Sequence, residues 1–345
     1  MLRYLFCLLL FASCLPDSRS PRNISSVRIE PITTDSINVR SITIMEGNLG
    51  YAGAENLYGI YLADRGKLNA SRFSYDSLEL EFRAVASTST DFFMLSIGNP
   101  ALLFKTGDSG NMELVYKEEH PSVFYDAMRF WNDEEGIAMG DPTGDCISVI
   151  ITRDGGNTWV KLPCENLPVV REGEAAFAAS NTNIAIAGDQ TWIATGGISS
   201  RIYYSPDKGR SWEVYDTPVI QGNPTQGIYS IDFYDEMNGF AMGGDYTDPD
   251  QNLANKARTV DGGKTWELVA EGEAPGYLSC VQYVPGRGGA ELVATGKNGV
   301  FFSNDHGSHW NKLTDQGFYT LRFVNDTMAY AAGNNIIAKL FFKEK

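Results

Sequence analysis

Two arginines and two carboxylates in this chain have the types and spacing to do chemistry together. Arg40, Arg83, Asp126 and Glu174 recur at near-regular intervals, and each opens a short apolar run of strand character. A carboxylate pair such as Asp126 and Glu174 suits glycoside hydrolysis when the two groups stand roughly 5–9.5 Å apart. These two are therefore the candidate catalytic residues. Arginines such as Arg40 and Arg83 match a carboxylate bidentately and could grip an anionic ligand. The same four residues could instead neutralise one another, because buried charges need partners for stability alone. Both readings stay open. Tyr229, Ser279 and Thr320 occupy the corresponding place in later runs.

Other constellations have metal-ligand character. Asp245, Asp248, Asp250 and Asn252 offer oxygen ligands of the kind calcium takes. They lack the EF-hand spacing, so a solvated loop accounts for them equally. Asp141 and Asp145 carry the same ambiguity. His306 and His309 mimic a metal pair with no third ligand in view. No other cofactor is implied.

The elements that must position these residues are written in a repeat. Thr259-Val-Asp-Gly-Gly-Lys-Thr-Trp266 follows the pattern Ser/Thr-x-Asp-x-Gly-x-Thr/Ser-Trp, which recurs at 152–159 and 205–212. Residues 303–310 repeat it with His309 in the hydroxyl place. Each copy joins two strand-like runs, as a hairpin turn does. The aspartates Asp154, Asp207, Asp261 and Asp305 can accept hydrogen bonds from the turn's N–H groups. The Gly two residues on supplies a positive φ. Trp159, Trp212, Trp266 and Trp310 then each have a large apolar face to bury. These residues are structural. The aspartates lie 44–54 residues apart, a period that means one supersecondary unit per repeat. Asp108 with Gly110, and Asp64 with Gly66, are eroded earlier copies.

The pattern resembles the BNR or Asp-box repeat of sialidases, sortilin-type receptors and the photosystem II stability and assembly-factor-like family. The resemblance to that last family covers about residues 38–343 and implies an all-β, seven-bladed β-propeller. Seven units can be counted, since a short apolar strand ends in Gly at 53, 98, 140, 188, 243, 296 and 333. The seventh unit stops after its third strand. The segment Ser26-Val-Arg-Ile-Glu-Pro-Ile can supply the fourth, which closes the ring and removes open edges. In antiparallel blades the boxes occupy one face. The long loops at 140–145, 188–201 and 244–252 and the blade crossings occupy the other, where binding sites usually sit. Arg40, Arg83, Asp126, Glu174, Arg201, Tyr229 and Asp245 are the candidate ligand-binding residues on that face.

The chain has 345 residues and is 43% hydrophobic, ample for one large core, and its net charge of −15 argues against a nucleic-acid partner. No run of 18 apolar residues follows the N-terminus, so no internal membrane span is expected. Residues 1–13 have the charged start and apolar centre of a signal peptide. Leu10-Phe-Ala-Ser-Cys14 resembles a bacterial lipobox, with Phe11 where Leu is usual, so Cys14 would carry a lipid. Residues 14–26 read as a tether, and 27–345 as a single propeller domain. An ordinary secreted signal peptide is the alternative. Cys146 and Cys164 are equidistant from Gly155, and in a regular hairpin they would lie within bridging reach. A single bulge would break that register, so the disulfide is left open. Cys280 reads as a small buried hydrophobe.

Three functions compete. The first is a non-catalytic, monomeric envelope lipoprotein that binds a protein or glycan partner and meets the membrane through its lipid alone. Phe124-Tyr-Asp-Ala-Met-Arg-Phe-Trp131, Glu172-Gly-Glu-Ala-Ala-Phe-Ala-Ala-Ser180, Thr195-Gly-Gly197 and Gly243-Gly-Asp-Tyr246 resemble a closer bacterial group, often named "oxidoreductase". The chain has no Gly-x-Gly-x-x-Gly unit, Cys-x-x-Cys or haem motif to carry that chemistry. The second is a sialidase-like glycosidase. That resemblance implies an arginine triad, for which Arg40, Arg83 and Arg201 are available beside Tyr125 or Tyr229. The Phe-Arg-Ile-Pro motif of such enzymes is absent. The third is a purely structural surface protein.

Overall fold

Short apolar runs broken by Gly and Asp turns pair first with their own neighbours in sequence. In the computed structural model, which describes residues 20–107 and 111–344, they do so seven times over. Blade 1 consists of Val39–Met45, Asn48–Gly53, Leu57–Leu62 and Lys67–Arg72. Blade 2 spans Phe82–Ser87 to Met112–Glu118, and blade 3 spans Tyr125–Phe130 to Val160–Lys161. Blades 5 and 6 begin at Gln226–Phe233 and Cys280–Tyr283. The innermost strands contact one another in order around a ring, and that of blade 7, Thr320–Asn325, meets that of blade 1. The architecture is an all-β, seven-bladed propeller.

Closure uses the N-terminal segment. Val27–Thr33 runs antiparallel to Ile336–Phe342, with Val27 opposite Phe342 and Ile29 opposite Leu340. The docked chain begins earlier than the tether reading of 14–26 allowed. Arg22 is buried and donates from Nε (2.9 Å) and Nη2 (2.6 Å) to Glu291. Ile24 sits in the core between blades 6 and 7. A charged residue bound to a buried carboxylate, followed by an apolar one, is a clamp rather than a solvated linker. The signal peptide, Cys14 and the Asp108–Gly110 turn lie outside the described residues.

The boxes do their work locally. Thr158 donates to Asp154 from its N–H (2.9 Å) and hydroxyl (2.7 Å), and Asp207 and Asp261 repeat this with Ser211 and Thr265. In the fourth copy His309 replaces the hydroxyl, with Nδ1 2.6 Å from Asp305 Oδ2. His306 Nδ1 lies 3.0 Å from the Gly289 carbonyl. His309 is thus engaged within its own box turn, and His306 with the neighbouring turn of the same blade. Gly156 and its three equivalents have φ of 78–85°, which only Gly adopts without strain. The tryptophans knit the blades together: Trp159 packs edge-on to Phe93 of blade 2, 6.3 Å between centroids.

Cys146 and Cys164 form a disulfide, with Cα atoms 5.3 Å apart. Its neighbours are one residue out of the symmetric register, since Ile151 faces Val160 and Ile150 faces Lys161. The bridge therefore lies just beyond the end of the ladder. Reduction is expected to lower the unfolding free energy by roughly 2–4 kcal/mol. Denaturant titration with and without reductant, against a Cys146→Ser/Cys164→Ser control, checks this.

Blade 4 departs from the sequence reading. Its innermost strand is Ile184–Ala187, followed by Gln190–Ala194, Arg201–Ser205 and Glu213–Asp216. Gly188 marks the first turn of the blade rather than the end of its second strand, and most of 188–201 is strand rather than long loop. The expected inner strand beginning at Glu174 has been drawn elsewhere: residues 176–183 cross the axis of the propeller.

Candidate functional site

Residues 180–183 are all buried at the centre of the ring. Asn181 Nδ2 donates to the Val85 carbonyl of blade 2 (2.7 Å), and its Oδ1 accepts the Met128 N–H of blade 3 (2.9 Å). Ser180 Oγ donates to the Ser279 carbonyl of blade 6 (2.6 Å). Thr320 Oγ1 of blade 7 donates to the Ser180 carbonyl (2.9 Å), and Ile231 N–H of blade 5 to that of Thr182 (2.9 Å). This plug ties five other blades to blade 4 and turns the open channel of a propeller into a closed cup.

The cup has a volume of about 600 Å³ and opens on the face that carries the blade crossings and the loops after each second strand. Its walls take their side chains from a shared irregularity. In four blades the innermost strand carries one extra residue near its start: Arg40, Arg83, Asp126 and Tyr229. A bulge re-aims the extra side chain, and Arg40, Arg83 and Tyr229 all line the cup. One side is aromatic. Phe177 stacks flat on Tyr229 with centroids 3.8 Å apart, and Tyr277 meets Tyr229 edge-on at 4.7 Å. Tyr246 stands at the rim, 54% exposed.

The cations differ in their freedom. Arg83 is committed, donating to Glu81 (Nε, 2.6 Å) and to the Ala178 carbonyl of the plug (2.9 Å). Arg40 lies over the Tyr319 ring at 3.8 Å and has no ion pair among the described residues. Its buried Nε has no hydrogen-bond partner there. Burial, and then Arg83 nearby, lower its pKa. A half-buried guanidinium in that position gains from an incoming anion.

The carboxylates divide. Asp126 is fully buried, and neither of its oxygens has a partner among the described residues. Burial pushes its carboxyl well above the usual range, Asp141 adds to this, and Arg83 opposes it. Asp141 lines the cup, accepts the Ala176 N–H at 2.8 Å, and is raised to about 6 by burial.

Glu174 does not join this group. Its carboxylate receives Arg201 Nε (3.0 Å), Arg201 Nη2 and the Thr195 hydroxyl (2.6 Å) in a closed buried network. The pairing of Asp126 with Glu174 as two free acids is thus corrected, and so is the triad of Arg40, Arg83 and Arg201. Neither Glu174 nor Arg201 lines the cup. Asp245 turns back on its own loop, accepting from the Thr247 N–H (2.9 Å) and hydroxyl (2.6 Å). Asp248 and Asp250 are exposed. Among the described residues no three His, Cys, Asp or Glu side chains gather as a metal site. Ser279 and Thr320 bond to backbone around the plug.

Sequence reasoning missed the plug, Phe177, Tyr277 and the role of Asp141 as wall. The run at 172–180, distinctive in its own right, was the available signal.

No family model matches the chain, and no curated protein matches it in sequence. Solved structures do match. YCF48 bound to D1 peptide is 12% identical with a TM-score of 0.66, covering 93% of this chain and 100% of that one. YCF48 from Cyanidioschyzon merolae gives 12% identity and 0.61, with 92% and 99% covered. The RRP9 WD40 repeats give 11% and 0.62, with 93% and 100% covered. At these identities the likeness is one of fold: the chain has the seven-bladed propeller fold that the photosystem II assembly-factor-like resemblance implied.

Proposed function

We propose that the protein is a binding scaffold of the bacterial cell envelope that docks a segment of a protein partner in its cup. One observation carries this reading. Arg40 presents a half-buried cation without an ion pair among the described residues, beside an aromatic wall, in a cavity closed at its base by the plug. A concave, largely apolar site with a few convergent polar groups is the usual form of a ligand site. The neighbouring fold of YCF48 is bound to a peptide, which favours a protein segment over a glycan as the occupant. The envelope setting is supported by the Cys146–Cys164 disulfide, which persists in oxidising compartments. Lipid attachment at Cys14 would hold the monomer to the membrane. Among the described residues no helix is long and apolar enough to cross one.

Gentle purification of the full-length protein from its native membrane tests the reading. One protein partner at near-equal stoichiometry is expected with the wild type. Arg40→Gln, shown folded by circular dichroism, is expected to lose at least about tenfold in affinity, the scale of one charge-assisted contact. A partner held equally well by the folded variant would overturn it. A lipid-bearing N-terminal peptide in the mass spectrum checks the anchor separately.

A further inference from the structure

The cup does not end at its rim. A second hollow of about 530 Å³ leads outward from it between blades 5 and 6, and the two share Pro249, Tyr277, Lys297 and Asn298 in their walls. The hollow continues to Lys312, in the outermost strand of blade 6 (Asn311–Thr314), and to Asp315 just beyond it. The plug closes the base of the cup, so a chain seated there cannot pass through the ring. It has to leave across the face by which it entered.

This groove is built into the fold. Its blade 5 wall is two irregular loops held to each other: the Tyr277 N–H donates to the Pro249 carbonyl (3.0 Å), and Asn252 Nδ2 to that of Gly272 (3.1 Å). Lys256 beneath them is wholly buried, with no ion pair among the described residues. Its ammonium donates to Asn255 Oδ1 (2.8 Å) and to the carbonyls of Glu273 (2.9 Å) and Pro275 (2.8 Å). Asn255 Nδ2 adds the Gly276 carbonyl (2.8 Å). Taking an ammonium out of water is costly, and here it holds carbonyls that lie outside any strand. A Cβ on Gly276 would come within 2.2 Å of the Pro249 carbonyl oxygen, so a larger residue would force the two loops apart. On the other wall Lys297 is exposed, and its ammonium has no ion pair among the described residues. Farther out, Lys312 and Asp315 pair with each other at 2.5 Å, and Asp250 stands exposed on the facing loop. The uncompensated positive charge of the groove therefore lies where it joins the cup.

We propose that the docked segment leaves the cup through this groove between blades 5 and 6, as an extended chain with an acidic side chain opposite Lys297. The inference rests on the cup being a peptide-docking site and adds the path and the charge of the segment that enters it. Walls already held in place lower the ordering cost of binding. Tyr277 belongs to both hollows and offers the chain one continuous aromatic surface at the turn from cup to groove. Lys297, at an exposed rim, acts mainly on the rate of encounter, as rim charges do.

Photo-crosslinking in cells, on the full-length protein, tests the path. A benzophenone side chain is placed at Asn298 where groove and cup join, at Asp315 at the outer end, or at Ser122 on the crossing between blades 2 and 3, across the mouth; all three positions are exposed. Asn298 and Asp315 are expected to give adducts that map to one stretch of one protein, and Ser122 none. Lys297→Glu should cut the Asp315 adduct about fivefold or more. Lys264→Glu makes the same change of charge on the box face and should leave that adduct within about twofold. Failure of either groove position to give the shared adduct, an equal adduct from Ser122, or an Asp315 adduct indifferent to Lys297→Glu would overturn the proposal. If a Tyr246 adduct that depends on Arg40 persists in that case, the docking reading stands and only the path fails; without one, both fail.

Discussion

Replacing Glu174 by Gln is expected to lower the unfolding free energy by about 3–5 kcal/mol, the cost of leaving a buried charge unpaired. Arg201 is almost wholly buried, and Glu174 is its only carboxylate partner among the described residues. Its other acceptors, the Val169 carbonyl at 2.9 Å and Tyr203 Oη at 2.8 Å, do not carry charge. Glutamine keeps the shape of the side chain but not its charge. A Glu174→Leu/Arg201→Met double variant should recover much of the loss, because it removes both charges together. Unfolding free energies from denaturant titration of wild type, Glu174→Leu, Arg201→Met and the double variant give the coupling. A Glu174→Gln protein as stable as wild type would return Glu174 to the pool of candidate acids.

The second large effect concerns the plug. Asn181→Ala removes the partner of two buried backbone groups, the Val85 carbonyl and the Met128 N–H. Each stranded group costs about 1–3 kcal/mol, so a total of roughly 2–6 kcal/mol is expected. The loss should also be local. Hydrogen exchange is expected to speed up at Met128 and across 180–183 before the outer strands of blades 2 and 3 respond. Uniform acceleration through the whole propeller would mean that the plug holds no separate part of the structure.

How much of this was legible in the sequence depends on how far each side chain reaches. The boxes could be read because Asp154, Asp207, Asp261 and Asp305 bond within five residues of themselves. Their residue types therefore report the turn with no knowledge of the rest. The seven blades followed from the same local grammar, as did the face of the long loops. Arg40, Arg83, Asp126 and Tyr229 were found by their place at the start of inner strands, although the bulge that aims them leaves no residue signature. The plug was not legible. Asn181 reaches residues 96 and 53 positions away, and Thr320 reaches Ser180 across 140. Small residues such as Ala178 and Ala179 carry no turn or strand signal that would separate an axial crossing from an edge strand. Both 186–188 and 195–197 fit the short strand ending in Gly, and only the plug decides between them. Arg22 was hidden for a similar reason. A clamp onto Glu291, 269 residues away, looks like a tether until both ends are seen.

The central claim is that the cup, rather than the box face, meets the partner. Site-specific photo-crosslinking tests it most directly, with a benzophenone side chain placed in cells at Tyr246 on the rim of the cup or at Val260 at the tip of a box. Both positions are well exposed, 54% and 65%, so access to solvent does not bias the comparison. A single adduct of defined mass from Tyr246, absent from Val260 and lost when Arg40→Gln is added, is the expected result. An adduct from Val260 with none from Tyr246 would contradict the account and move the working surface to the opposite face.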